Sequence, residues 1–296
     1  MGGSFGLGAA AKQKLDILFT YDFNNLNSLI FISENLNDNT GQRKTHSFLL
    51  ELNYGITKRL SATTVIPYVN QRRINTYEGD HTDLTSEKGL GDAVIMLKYR
   101  ILGAKSFSNL DLILGGGLKL PTGRSDGVNN IGLLLPADMQ TGSGSTDGIT
   151  WLFFQKKDLF FKNLSLVNIN TYKINGENPK FTANQAYRFG NEFQANLGLN
   201  YNAFIIRPTD IFAFIRYRNV NVDLTNDYTL PNSGGTWVYL IPGFNLNINE
   251  SISLRFSGDI PLKRKLNGIQ LTTGYKLSTS FKYTINTKSE HKSPKI

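Results

Sequence analysis

Along most of the chain, apolar and polar positions alternate with a period of two, and the 3.6-residue period of an amphipathic helix is hard to find. In 48–54, Phe48, Leu50, Leu52 and Tyr54 alternate with Leu49, Glu51 and Asn53. In 92–100, Ala93, Ile95, Leu97 and Tyr99 oppose Asp92, Val94, Met96, Lys98 and Arg100. The leucines of 110–120 oppose Asp111, Ile113 and Lys119. The same alternation returns in 192–203, 252–259 and 271–283, while 164–174 has no cleanly apolar parity. One face therefore carries Leu, Phe and Tyr, and the other carries charged residues and Asn in mid-strand. Strands of a soluble sandwich run about five or six residues. These run about ten or more, the length that crosses a bilayer at a tilt.

The connections alternate as well. Short ones fall near 56–58, 103–105, 156–158, 208–210 and 247–249, and longer polar ones near 23–43, 72–88, 122–146, 174–183, 221–234 and 262–268. About twelve strands are predicted, at 12–22, 45–55, 59–71, 90–102, 107–121, 148–156, 161–173, 184–206, 210–220, 235–247, 250–261 and 269–285. The pattern predicts an all-β fold, an up-and-down antiparallel transmembrane β-barrel with both termini on the short-turn side. Pro67, Pro121 and Pro261 are expected at the loop-side ends of strands, where a missing N–H costs no ladder bond. Tyr54, Tyr99, Phe107, Phe154, Phe160, Phe161 and Tyr283 gather on the short-turn side as an interfacial belt. Residues 1–11 are expected to be a flexible segment or a plug, 12–285 the barrel, and 286–296 a disordered basic tail.

Composition agrees with a fold that is apolar on one face. Of 296 residues, 40% are hydrophobic, low for a chain that must fill a continuous core, while aromatics reach 11%. There is no Cys, which excludes disulfides, thiolate nucleophiles, Cys-bound zinc and iron–sulfur clusters. The three His, at 46, 81 and 291, leave little for a histidine metal site. The net charge of +9 raises nucleic-acid binding, but the basic residues are spread out, so no nucleic-acid partner is expected. No apolar run is long enough for a transmembrane helix. Met1-Gly2-Gly3-Ser4 has neither the charged nor the apolar region of a signal peptide, so the numbering is expected to start at a mature or engineered end.

Three motifs stand in order. Gly55-Ile56-Thr57-Lys58-Arg59-Leu60 leads to Val65-Ile66-Pro67-Tyr68-Val69. Gly89-Leu90-Gly91-Asp92 leads to Leu97-Lys98-Tyr99-Arg100. Gly115-Gly116-Gly117 leads to Leu118-Lys119-Leu120-Pro121-Thr122-Gly123. With Ile241-Pro242-Gly243 and Gly258-Asp259-Ile260-Pro261-Leu262, they resemble the outer-membrane proteins of the "MetA-pathway of phenol degradation" family, over roughly residues 14–285. The resemblance implies a Gram-negative outer-membrane barrel that passes small compounds, hydrophobic and aromatic ones included. One departure is that many outer-membrane barrels end on an aromatic residue, whereas about a dozen residues follow Tyr283.

The candidate site is the set of charges on the inward parity: Glu51, Asp92, Lys98, Arg100, Asp111, Lys119, Glu192, Arg216, Arg218, Arg255 and Asp259. They are expected to form either a constriction that sorts solutes by charge or a structural lattice of ion pairs. About twelve strands enclose a lumen between filled eight-strand barrels and open porins, so a narrow or plugged pore is expected. Catalysis finds no support. His46 and Ser47 are adjacent and point to opposite faces, and no carboxylate pair takes acid and base roles. Glu78, Asp80, His81 and Asp83 read as loop polarity, so no metal and no cofactor are expected. The glycine runs lack the Lys-Ser/Thr of a phosphate loop. The function expected is passive passage of small molecules across the bacterial outer membrane. The partners expected are outer-membrane lipid, lipopolysaccharide, a small solute and, at loops 72–88 and 122–146, a protein. The rivals are a barrel without transport and a soluble periplasmic β protein.

Overall fold

The computed structural model describes residues 8–38, 40–76, 82–103, 109–205 and 207–287. Among them the helical content is one 3-10 turn, Ala137–Met139. The chain runs β1 (Lys14–Phe31), β2 (Glu34–Asn35), β3 (Gly41–Gly55), β4 (Leu60–Thr76), β5 (Thr82–Leu90), β6 (Val94–Leu102), β7 (Leu110–Lys119), β8 (Asp147–Lys156) and β9 (Leu164–Ile174). It continues through β10 (Glu177–Thr182), β11 (Gln185–Arg188), β12 (Glu192–Phe204), β13 (Pro208–Val220), β14 (Leu224–Thr225), β15 (Tyr228–Thr229), β16 (Gly235–Asn247), β17 (Ile252–Leu266) and β18 (Ile269–Asn286). The main sheet has 14 strands, all paired antiparallel to their neighbours. They reduce to twelve staves, because β2 is a two-residue arm and β5 and β6 both pair with β4 as one interrupted stave. β18 returns to β1, with Lys14 opposite Asn286 and Phe31 opposite Ile269, and the cylinder is closed. Closure removes the edges that the twelve-stave sheet would otherwise expose, leaving only the rim segments β2 and β5 paired on one side.

Side chains alternate across a strand, and the two sides here differ in kind. Phe48 is 42% exposed, Leu114 47% and Leu197 52%, all on the outer wall. Met96 and Ile113, one residue along from outward Leu97 and Leu114, are 1% and 0% exposed and face inward. A dry core of outward residues does not exist, so the soluble-sandwich rival fails. The outer wall of Leu, Ile, Phe and Tyr suits lipid, where closed barrels satisfy every backbone group internally. Lys14 and Asn286 stand at the same end, so the first barrel strand starts and the last one ends on the short-turn side.

Several expected details change. The stretch 184–206 is two elements, because the chain turns after β11 and the barrel strand begins only at Glu192. The small sheet β10-β11-β14-β15 caps the long-loop end, and no period-two signal separates it from the stave that follows. The long connections 23–43, 72–88 and 262–268 are mostly strand, since β1, β4, β5 and β17 run past the predicted ends. The turn placed at 156–158 extends over 157–163. Pro67 lies inside β4, opposite the gap between β5 and β6, and Gly91 N–H donates to its carbonyl at 2.8 Å. Pro261 sits in β17 at a bulge against Val238 and Tyr239. Both prolines fall where the ladder is already broken.

The short-turn belt holds Tyr54, Tyr99, Phe160, Phe161 and Tyr283, all exposed, with Phe154 half-buried. A second group, Tyr21, Tyr68, Phe193, Tyr217 and Tyr275, is exposed nearer the other rim. On β18, Tyr275 and Tyr283 are eight residues apart, about 20 Å along the barrel axis at a tilt of about 40°. Phe107, the acidic residues Glu78 and Asp80, His81 and the tail from 288 lie outside the described residues.

Candidate functional site

The inner wall has two halves. Leu49, Val65, Val94, Met96, Ile113, Ile149, Trp151, Phe153 and Val167 form an apolar cluster on the lumen side of β3 to β9. Residues 8–10 lie against it. Ala9 packs on the cluster, Ala10 is buried, Asn53 Nδ2 donates to the Gly8 carbonyl at 3.1 Å, and Arg100 Nη2 donates to the Ala9 carbonyl at 3.0 Å. The opposite half, β12 to β1, is lined mainly by Asn, Ser, Thr and charged residues and holds open space.

That space is two cavities in series. One, of about 440 Å³, reaches toward the short turns and is walled by Phe153, Phe212, Phe214, Ile241, Asn245 and Arg255, among others. The other, of about 1340 Å³, opens toward the long loops between Arg43, Arg73, Asp138, Tyr187, Arg218 and Trp237. Asp22, Gln194, Arg216, Asp259 and Lys276 line both, so these five side chains form the waist between them. At the waist Arg216 Nη1 bonds Asp259 Oδ2 at 2.6 Å and Lys276 Nζ pairs with Asp22 Oδ2 at 2.8 Å. Arg216 Nε donates to Asn196 Oδ1 and Ser278 Oγ to Asp22 Oδ1, at 2.8 and 2.6 Å. Each waist charge is thereby neutralised, and Arg216 and Asp22 are each fixed by a second bond.

The connection 120–146 folds inward and narrows the outer cavity. Its root is a buried triad in which Lys119 Nζ lies 2.9 Å from Asp92 Oδ2 and 2.8 Å from Asp147 Oδ2. Asp92 also accepts from the backbone N–H groups of Gly123 (3.0 Å) and Ser143 (2.8 Å). The two arms cross at Gly123 and Gly142, where a Cβ on Gly142 would stand 2.5 Å from the Gly123 carbonyl carbon. Only glycine permits that approach. In its returning arm Asp138 is held by Arg43 at 2.8 Å and by Arg73, and Gln71 Nε2 donates to the Met139 carbonyl at 2.8 Å. Above the barrel, Tyr187 Oη donates to Asp223 Oδ2 at 2.6 Å. Burial, with that bond, holds the Tyr187 phenol above the usual tyrosine range.

All eleven charges chosen from the alternation face inward, but they are not one cluster. Asp92 and Lys119 anchor the loop, and Arg216 and Asp259 form half the waist. Arg218 bonds both carboxylate oxygens of Glu192, at 2.9 and 3.0 Å, and its guanidinium lies 4.8 Å from the Trp237 ring centroid. Arg100 pairs with Asp111 at 3.1 Å under the N-terminal segment. Lys98 lies 4.7 Å from the Trp151 centroid with Glu51 as its electrostatic partner, both fully buried in the filled half. Arg255 stacks on Phe212 at 4.1 Å. The selection lacks Asp22, Lys276, Arg43, Arg73, Asp138 and Asp147. Lys276 stands on the polar parity of its strand, and Asp22 ends the first predicted strand, so both carried a signal. Asp138 is placed by loop tertiary structure and carried none.

The described residues contain no group of three His, Cys, Asp or Glu suited to a metal.

Among solved structures, an outer membrane channel from Pseudomonas putida F1 is similar, with a TM-score of 0.74 and 14% identity, over 96% of this chain and 100% of that one. The beta domain of the Bordetella autotransporter BrkA aligns at a TM-score of 0.49 and 12% identity, over 93% and 100%. No curated protein matches the sequence. The model of the family described as putative MetA-pathway of phenol degradation matches residues 38–260, and the chain belongs to that family.

Proposed function

We propose that the chain is a bacterial outer-membrane channel for the passive passage of small molecules, hydrophobic and aromatic ones among them. The observation that carries this is the pair of lumen cavities meeting at the Asp22–Lys276 and Arg216–Asp259 waist, inside a cylinder whose outer wall is apolar. Phe153, Phe212, Phe214 and Ile241 beside Asn and Ser give a path that wets both ends of an amphipathic solute. The Pseudomonas putida F1 protein with this fold, an outer membrane channel, supports the reading.

In this reading the short turns face the periplasm, and lipid and lipopolysaccharide surround the outer wall. Residues 8–11 plug the apolar half, leaving the polar half as the route. A protein partner meets the tip of the 122–146 connection, where Ile131 and Leu133 are exposed, because the rest of that loop is folded into the lumen. The test is swelling of proteoliposomes in arabinose, with phenol added as a competing occupant. Swelling slowed by phenol is expected. Liposomes that stay as tight as protein-free ones overturn the channel, and swelling indifferent to phenol overturns the aromatic preference.

A further inference from the structure

We propose that Arg255 and Phe212 form a binding site for a monoaromatic carboxylate in the cavity on the short-turn side of the waist. The proposal rests on the channel reading for its route of entry and adds the class of solute.

Nearly every other lumen-facing arginine is already engaged. Arg43 and Arg73 hold Asp138, Arg100 holds Asp111, Arg216 holds Asp259, and Arg218 holds Glu192. Among the described residues no carboxylate comes within ion-pair distance of Arg255. Asp210, the carboxylate whose charge acts on it, already accepts from three amides. Asn202 donates to Oδ1 at 2.8 Å, and Asn245 and Asn247 donate to Oδ2 at 3.2 Å each. Of the other cations that line the cavity, Arg216 pairs with Asp259, Lys276 with Asp22 and Lys282 with Asp16, so among the described residues Arg255 is the lining cation without an ion pair.

Arg255 is also pre-set. Its guanidinium carbon lies 4.1 Å from the Phe212 ring centroid, a stacked cation–π contact. Stacking occupies the face of the guanidinium and leaves its in-plane N–H groups for a bidentate partner. Phe212 is fixed in turn. It packs edge-on to Phe214 at 5.6 Å and lies over Gly243, where a Cβ would meet its ring at 2.4 Å. A planar carboxylate fits the fork, and an aromatic ring on that carboxylate lies against Phe214 and Ile241. At about 440 Å³ the cavity is at the small end of ligand sites, room for one ring and its water.

The experiment is calorimetric titration of the purified full chain in detergent with benzoate, benzyl alcohol and acetate. The same titrations are run on Arg255→Gln and Arg255→Lys, with heat-modifiable gel mobility reporting that each is folded. Benzoate is expected to bind wild type at least tenfold more tightly than the other two probes. Arg255→Gln loses that preference, and Arg255→Lys, which keeps charge without the planar fork, lies between. Benzoate binding no tighter than benzyl alcohol, or unchanged in folded Arg255→Gln, overturns the proposal. Arabinose swelling is measured on the same preparations. Swelling without benzoate preference removes this site and leaves the channel, whereas benzoate preference without swelling removes the channel and leaves the site.

Discussion

Arg216 Nη1 lies 2.6 Å from Asp259 Oδ2, and this ion pair closes one side of the waist at which the two lumen cavities meet. Both side chains are mostly withdrawn from solvent, at 15% and 8% exposure, so neither charge is free to relax into bulk water. Asp259→Asn therefore leaves a guanidinium facing the cavity without its counter-charge. The expected cost is about 2 kcal/mol. Arg216→Ala/Asp259→Ala together cost less than the two single changes summed, because no charge is stranded. Unfolding in urea, followed by gel mobility, reads all four variants.

Lys119 ties the inward loop to the wall by sitting between Asp92 and Asp147. Lys119→Met strands two buried carboxylates side by side. We expect a loss of about 3 kcal/mol and release of residues 120–146. Trypsin then cuts after Arg124, a bond that the wild-type protein protects. Equal resistance of the two proteins contradicts the anchoring role.

The chain has no cysteine, so single introduced thiols report orientation cleanly. Gln194→Cys at the waist reacts with a water-soluble maleimide in proteoliposomes. Leu114→Cys on the outer wall does not. The same outward position tolerates charge poorly: Leu114→Arg costs about 2–4 kcal/mol near the bilayer midplane.

Much of this architecture is legible in the sequence because a strand alternates strictly. Placing Leu97 outside fixes Asp92, Lys98 and Arg100 inside, whatever the tertiary structure. The 164–174 stretch resists that reading for a visible reason. Its inward residues Val167 and Ile169 belong to the apolar lumen cluster, while Asn168 and Asn170 on the other parity bond each other at 2.6 Å. Either parity is half polar. The caps are illegible for another reason: β11 continues the alternation of β12 across a turn, so one long strand fits as well as two. The waist is only half visible, since Arg216 and Asp259 stand on inward parity but their 2.6 Å contact joins β13 to β17, which share no hydrogen-bonded edge. The Arg43–Asp138 contact spans 95 residues and depends on a loop path that no local pattern encodes.

The most direct trial is single-channel recording in planar bilayers of wild type and of Arg216→Ala/Asp259→Ala. Small, stepwise, ohmic openings are expected from the wild-type protein, with conductance about twofold larger once the waist pair is removed. Silence from both proteins, or identical conductance in the two, contradicts a solute path through that waist.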